Sequence, residues 1–291
     1  MNQVKTLGLL ALLSGLLVTI GYTLGGSGGA LIGLIFAAVT NLVSWYSSDK
    51  IALAAYKAQP LKQSQAPELY SMVERLCQRA DLPMPGLYLV PSNGANAFAT
   101  GRDPQHAAVA MTQGIVDLLS PEELEAVIAH ELTHVKNRDT LTQAVAATVA
   151  GGISYMAQVM QFGLMFGGGS RDRQGGNPIG AIAAIILAPM AASVIQMAIS
   201  RTREFEADAG AARLTQNPRA LASALQRLEA GARQMPMQAN PSFEPLLIIN
   251  PFSGQFLSGL FATHPSTEAR IQNLLKLEQE LGTGQGLQPL G

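Results

Sequence analysis

The sequence predicts a mainly α-helical membrane protein: four transmembrane helices joined to an α+β part outside the lipid. Two observations carry this. Of 291 residues, 48% are hydrophobic and only 13% are charged, against about 25% charged in soluble domains. The charge is also uneven, with none in 6–48, 140–170 or 174–200. The rest of the chain has close to ordinary soluble charge density. The same numbers exclude other classes. High hydrophobicity excludes disorder. Cys77 is the only cysteine, so there is no disulfide scaffold. A net charge of −1 excludes a general nucleic-acid binder.

A spanning helix needs about 20 apolar residues. The first uncharged run holds two, near 7–22 and 30–45, split by the glycine-rich stretch 23–29. The second run holds one near 144–166. The third holds one near 179–199, with Pro189 as a kink. Residues 7–20 also suit the core of a signal peptide, but no small-x-small cleavage site follows and a second apolar span comes at once. The later runs, rich in Ala and Gly, have buried core helices as their alternative. Lys and Arg mark the cytoplasmic side. They concentrate in 50–138 and after 201, which places the N-terminus, the central part and the tail in the cytoplasm. Arg171 and Arg173 fall outside, against the rule. The chain thus divides into two helices (1–48), a cytoplasmic α+β part (49–139), two more helices (140–200), a cytoplasmic helical part (201–282) and a tail (283–291).

Within 49–139, residues 65–80 carry Leu69, Met72, Val73 and Leu76 at helical spacing. Three short apolar runs, 86–90, 95–100 and 107–112, read as strands of a small antiparallel sheet. Ser120, Pro121 and Glu123 then mark a capped helix start. That helix reaches at least Asn137, and no breaker stands between it and the third span until Gly151. Later helices are expected near 201–214, 220–233 and 266–281.

The capped helix contains His130-Glu131-Leu132-Thr133-His134. Histidines at i and i+4 share one face, so they can bind one zinc ion with Glu131 beside them at a bound water. The bland alternative is a pair of surface histidines. A catalytic zinc needs a third protein ligand. An H-x-x-G-x-x-H extension is excluded, because Asn137 and Thr140 stand at its positions. The best source is the run 201–208 (RTREFEAD). Glu204 and Asp208 lie one turn apart, so one can bind zinc while the other takes the outer N–H of a ligand histidine. Glu206 points elsewhere. The alternative is a solvated charge run. Two spans separate the pieces, which keeps them on one side of the membrane, close to its surface. The small residues Ala207, Ala209, Gly210, Ala211 and Ala212 suit tight packing on the active helix.

With these motifs, the chain resembles the HtpX family of bacterial membrane-integrated zinc metalloproteases, relatives of the CAAX prenyl proteases. The resemblance rests on HELTH at 130–134, SRTREFEAD at 200–208, NAFATG at 96–101, NPFSG at 250–254 and THP at 263–265, in order along nearly the whole chain. It implies a gluzincin-like domain with one Zn2+ per chain, held by His130, His134 and Glu204. It implies Glu131 as the catalytic glutamate and Asp208 as the acid behind a ligand histidine. His264 matches a histidine that approaches the zinc, as transition-state donor or occluding ligand. Asn96, Ala97, Phe98, Ala99 and Thr100 resemble the edge strand that receives substrate. The implied setting is the bacterial cytoplasmic membrane, with the active site on the cytoplasmic face. The implied substrates are misfolded or damaged membrane proteins, with membrane quality-control partners.

The expected reaction is peptide-bond hydrolysis, with zinc activating water and Glu131 moving its proton. Two other readings share the ligands: a membrane zinc scaffold or sensor without turnover, and a prenyl-protein protease. Cys77 is expected in a helix core, and His106 in a surface loop.

Overall fold

The first 54-residue helical stretch, α1 (Asn2–Ala55), is broken at Gly25 and Gly26 and again at Ser47. Gly26 has φ 59°, a conformation open to glycine. The two limbs around this break return along each other. Gly21 meets Gly29, Gly33 meets the Leu17 backbone, and a Cβ at any of the three glycines would overlap the opposite limb. Asn41 Nδ2 donates to Ser14 Oγ across the pair at 2.9 Å. Small residues let the backbones close, as in membrane helix pairs. The structure is a computed structural model describing residues 2–143, 203–235, 246–249 and 265–282. Among these, one stretch, Gly25–Val43, is long and apolar enough to cross a membrane. Its Leu31, Ile32, Leu34, Ile35, Val39 and Leu42 are exposed, and clustered exposed aliphatic side chains of this kind mark a surface for lipid or for other apolar elements. Four such helices are expected from sequence. The pair at 144–166 and 179–199, with the tail 283–291, lies outside the described residues.

The sheet corrects the all-antiparallel expectation. Its strands are β1 (Gln59–Pro60), β2 (Gly86–Val90), β3 (Ala97–Thr100) and β4 (Ala108–Thr112), in the order β1-β2-β4-β3. β2 and β4 are parallel, with Gly86 opposite Ala108. β3 and β4 form an antiparallel hairpin, with Ala97 opposite Met111. The hairpin turns through Gly101 at φ 127°, where a Cβ would strike the His106 carbonyl. β4 is paired on both sides, by β2 and β3, and every residue of it is buried. The chain crosses from β2 to the far edge, forms β3, and turns back into the gap. β4 must then run parallel to β2. Alternation of apolar residues cannot reveal this, since both directions alternate alike.

Helices pack on one face of this sheet: α2 (Pro67–Ala80), α3 (Gln113–Leu118) and α4 (Pro121–Asn137), then α5 (203–215), α6 (Pro218–Gln234) and α7 (Thr267–Gly282). α4 contacts β3, α2 and α6, while α6 contacts α7. Val127, Ile128, Leu132 and Val135 are at most 2% exposed, each contributing about 1.5–3 kcal/mol of apolar burial. α4 ends at Asn137. Arg138 turns to φ 58° and its N–H caps the carbonyls of His134 and Val135. Helix resumes at Asp139, and this break bends Asp139 back beside His134.

Candidate active site

α4 begins with a complete capping box. Ser120 Oγ accepts from Glu123 N–H, and the Glu123 carboxylate accepts from Ser120 N–H. Glu123 also accepts from Ser223 Oγ at 2.6 Å and Arg227 Nη1 at 2.7 Å. One carboxylate therefore starts α4 and ties it to α6.

Two turns on, His130 and His134 turn their Nε2 atoms to one point, 3.2 Å apart. Glu204 of α5 faces both: its Oε2 is 3.6 Å from His130 Nε2 and its Oε1 3.4 Å from His134 Nε2. One donor atom from each residue lies within 4.8 Å of the others, and all three residues are buried. Of the open carboxylate choices on α5, Glu204 thus meets both histidines. Asp208 lies behind, with Oδ1 3.0 Å from His130 Nδ1. Glu206 is exposed.

Each histidine has an acid on its outer nitrogen. His130 has Asp208, and His134 Nδ1 has Asp139 Oδ2 at 3.2 Å. Such partners hold the proton on Nδ1 and leave Nε2 as the donor atom. Each acid has its own arginine. Arg270 of α7 grips Asp208 with Nε at 2.9 Å and Nη2 at 2.6 Å. Arg203 Nε lies 3.4 Å from Asp139 Oδ1. Arg270 Nη1 also stands 3.4 Å from Glu204 Oε2.

Asp139, Arg203 and Arg270 were not anticipated as site residues. Arg270 had a signal. It lies one turn before Leu274 on the inward face of α7, and only 2% of it is exposed. Asp139 had one as well, an acid close after the second histidine, but its position depends on the left-handed Arg138. His264 lies outside the described residues. His106 is exposed and paired with Asp103, and Cys77 is buried in α2.

Charge explains the site's chemistry. Glu131, Glu204, Asp208 and Asp139 are at most 2% exposed, against the buried cations Arg203 and Arg270. With neutral histidines, two negative charges are left over among buried groups, where uncompensated charge is costly. The ionisations respond. Burial raises the Glu131 carboxyl above its ordinary value, with Glu204 adding to the rise, against His130, His134 and an N–H from Ala99. Burial opposes charge on His134, yet Asp139 and Glu204 push its pKa up to about 10. Burial likewise opposes the Asp208 charge, but Arg270 and His130 hold its pKa down.

β3 supplies the last wall. Asn96–Thr100, the segment expected to receive substrate, is buried throughout and forms the sheet edge nearest α4. The Ala99 N–H reaches the Glu131 carboxylate.

Two histidines one turn apart with a glutamate between, and a carboxylate from a second helix, define a metallopeptidase of the HExxH type. The model of peptidase family M48 matches residues 63–278, and the chain belongs to this family. It is 69% identical over 285 residues to a protein of Trichormus variabilis named "Protease HtpX homolog", covering 97% of this chain and 99% of that one. A protein of the same name from Thermococcus kodakarensis is 50% identical, covering 94% of this chain and 95% of its own length. Among solved structures, the crystal structure of S. mikatae Ste24p matches with TM-score 0.52 and 20% identity. The match spans 92% of this chain and 62% of that one, a likeness of fold. The chain is a metalloprotease.

Proposed function

We propose that the chain is a zinc endopeptidase that cleaves misfolded or damaged membrane proteins at the cytoplasmic face of a bacterial inner membrane. The observation that carries the zinc is the buried charge imbalance: four carboxylates, two guanidiniums and two imidazoles, a set that one divalent cation neutralises. His130, His134 and Glu204 would hold it, a nitrogen and carboxylate set that suits zinc. When bound, the ion supplies Lewis acidity, drawing the pKa of water towards about 7 and polarising a carbonyl.

The remaining steps belong to the chain. Glu131 accepts a proton from the attacking water and returns it to the departing amide nitrogen. The Ala99 N–H holds that carboxylate in place. Asp208 and Asp139 orient the two histidines, and Arg270 and Arg203 hold those acids. The edge of β3 receives an extended peptide through main-chain hydrogen bonds, which tolerate many side chains. The exposed aliphatic surface of Gly25–Val43 and the Lys and Arg distribution support a multi-pass protein with this site in the cytoplasm.

The test is Glu131→Gln in purified protein, with casein and a model membrane protein as substrates. Zinc content should stay near one per chain while cleavage disappears and chelation abolishes the parent's activity. Full cleavage by the variant refutes the assignment. Stoichiometric zinc with no proteolysis by the parent favours a scaffold instead.

A further inference from the structure

We propose that Leu246–Ile249 is a clip that closes the substrate-receiving edge of β3, and that an apolar stretch of substrate opens it by taking its place. This rests on the proposed role of β3 as that edge.

The hydrogen bonds along β3 alternate. The Asn96 carbonyl accepts from Thr112 N–H on the β4 side, so Ala97 and Ala99 point their backbone groups to the other, outer edge. An incoming strand must pair with these groups. Three of these four groups already have partners. The Ala97 N–H donates to Asn96 Oδ1 at 3.1 Å. The Ala97 carbonyl accepts from Ile248 N–H at 3.0 Å. The Ala99 N–H is held by Glu131. The contact on the Ala97 carbonyl is made by a segment from far along the chain.

The clip folds around the edge. Leu246 and Leu247 pack on one face of the sheet with Tyr56, Phe98 and Ala110. Ile248 and Ile249 join the core on the opposite face, under α4. All four are at most 6% exposed. The anchors on its main chain are groups that a peptide would need. Arg270 Nη1 donates to the Ile248 carbonyl at 2.9 Å, and Asn96 Nδ2 to the Ile249 carbonyl at 3.0 Å. One N–H and two carbonyls are thus satisfied by the start of β3 and by the arginine that holds Asp208. The segment is bent rather than part of a ladder, so its release breaks few backbone bonds. What holds it is aliphatic burial, and only a chain offering comparable aliphatic side chains can replace it without loss. The occupant that fits is an apolar polypeptide segment rich in Leu, Ile and Val, in keeping with unfolded membrane segments.

Hydrogen exchange of the full-length, zinc-loaded Glu131→Gln protein in detergent tests this. The probes are a leucine- and isoleucine-rich peptide and a serine- and glycine-rich peptide of equal length, with binding followed by fluorescence anisotropy. The Ile248 amide should be protected in the free protein and lose protection when the apolar peptide saturates the site. The polar peptide should bind weakly and leave it protected. In the catalytic parent, Leu247→Ala should raise kcat/KM for casein about tenfold at unchanged zinc content, since truncating one buried anchor favours release. Continued protection of the Ile248 amide with the apolar peptide bound overturns the clip, whatever Leu247→Ala does to folding. Equal affinity for both peptides overturns the substrate class. Failure of the parent to cleave any substrate instead removes the peptidase reading, so the two failures separate.

Discussion

Gly210 sets the distance between the two helices that build the site. It sits on α5, six residues after Glu204, and faces Thr133 of the HELTH motif on α4. A Cβ there would overlap Thr133 Cγ2, lie 2.7 Å from its Oγ1 and stand 3.0 Å from its Cβ. Ordinary contacts between carbon atoms are about 3.5–4.0 Å. Thr133 has little freedom to yield, because its Oγ1 donates to the Ala129 carbonyl at 2.8 Å and the residue is buried. Gly210→Ala therefore drives α5 away from α4 by roughly 0.5–1 Å. Metal sites tolerate distance errors of about 0.2 Å. Overpacking of this kind costs about 1–3 kcal/mol, so zinc affinity should fall about tenfold to a hundredfold. Competition with a chromogenic chelator measures it. Thr133→Ala removes Cγ2 and Oγ1, leaving only the 3.0 Å contact, and should restore most of the loss in the double variant. Unchanged affinity in Gly210→Ala, or no recovery in the double variant, refutes the spacing argument.

Four further predictions follow from buried ionisable groups. Asp139→Ala should weaken zinc binding by about 10- to 100-fold, the usual cost of removing a ligand's orienting acid. His134 carries a proton up to about pH 10 in the metal-free site, a contribution to metal-free stability that is complete below about pH 6.5 and lost as pH rises through 10. Zinc uptake at pH 7 should therefore release about one proton. Calorimetry in buffers of different ionisation enthalpy counts it, and no release contradicts the pairing. Glu123→Gln should cost about 1–3 kcal/mol at neutral pH through its lost charged hydrogen bonds. Burial opposes the Glu123 charge, but Ser223, Ser120 N–H and Arg227 hold its pKa below the ordinary value. That stability is present above about pH 4.5 and fades as pH falls through the lowered pKa, so chemical denaturation should show parent and variant converging in acid. Burial, with Glu74, pushes the Cys77 thiol up to about 11. Two units above a free thiol mean about a hundredfold less thiolate, so iodoacetamide should alkylate the native protein correspondingly slowly at pH 8. Reaction at the free-cysteine rate contradicts this.

The low charge that predicts membrane spans is readable because lipid imposes composition over long windows. The capped start of α4, the paired histidines and the acidic turn at 204–208 are local patterns, set by helical spacing and capping chemistry within a few residues. These need no tertiary information, so sequence determined them by itself. Sheet direction, the break at Arg138, and the meeting of Asp139, Arg203 and Arg270 around the histidines were decided by tertiary structure alone. The same holds for the passage of Leu246–Ile249 around the edge of β3. Apart from the local turn at Arg138, each depends on groups distant in sequence sharing a buried space, where unpaired charge and unpaired backbone are costly. Composition leaves 13% charge as a statement about the membrane. Folding gathers six of those charges, unbalanced, around two histidines.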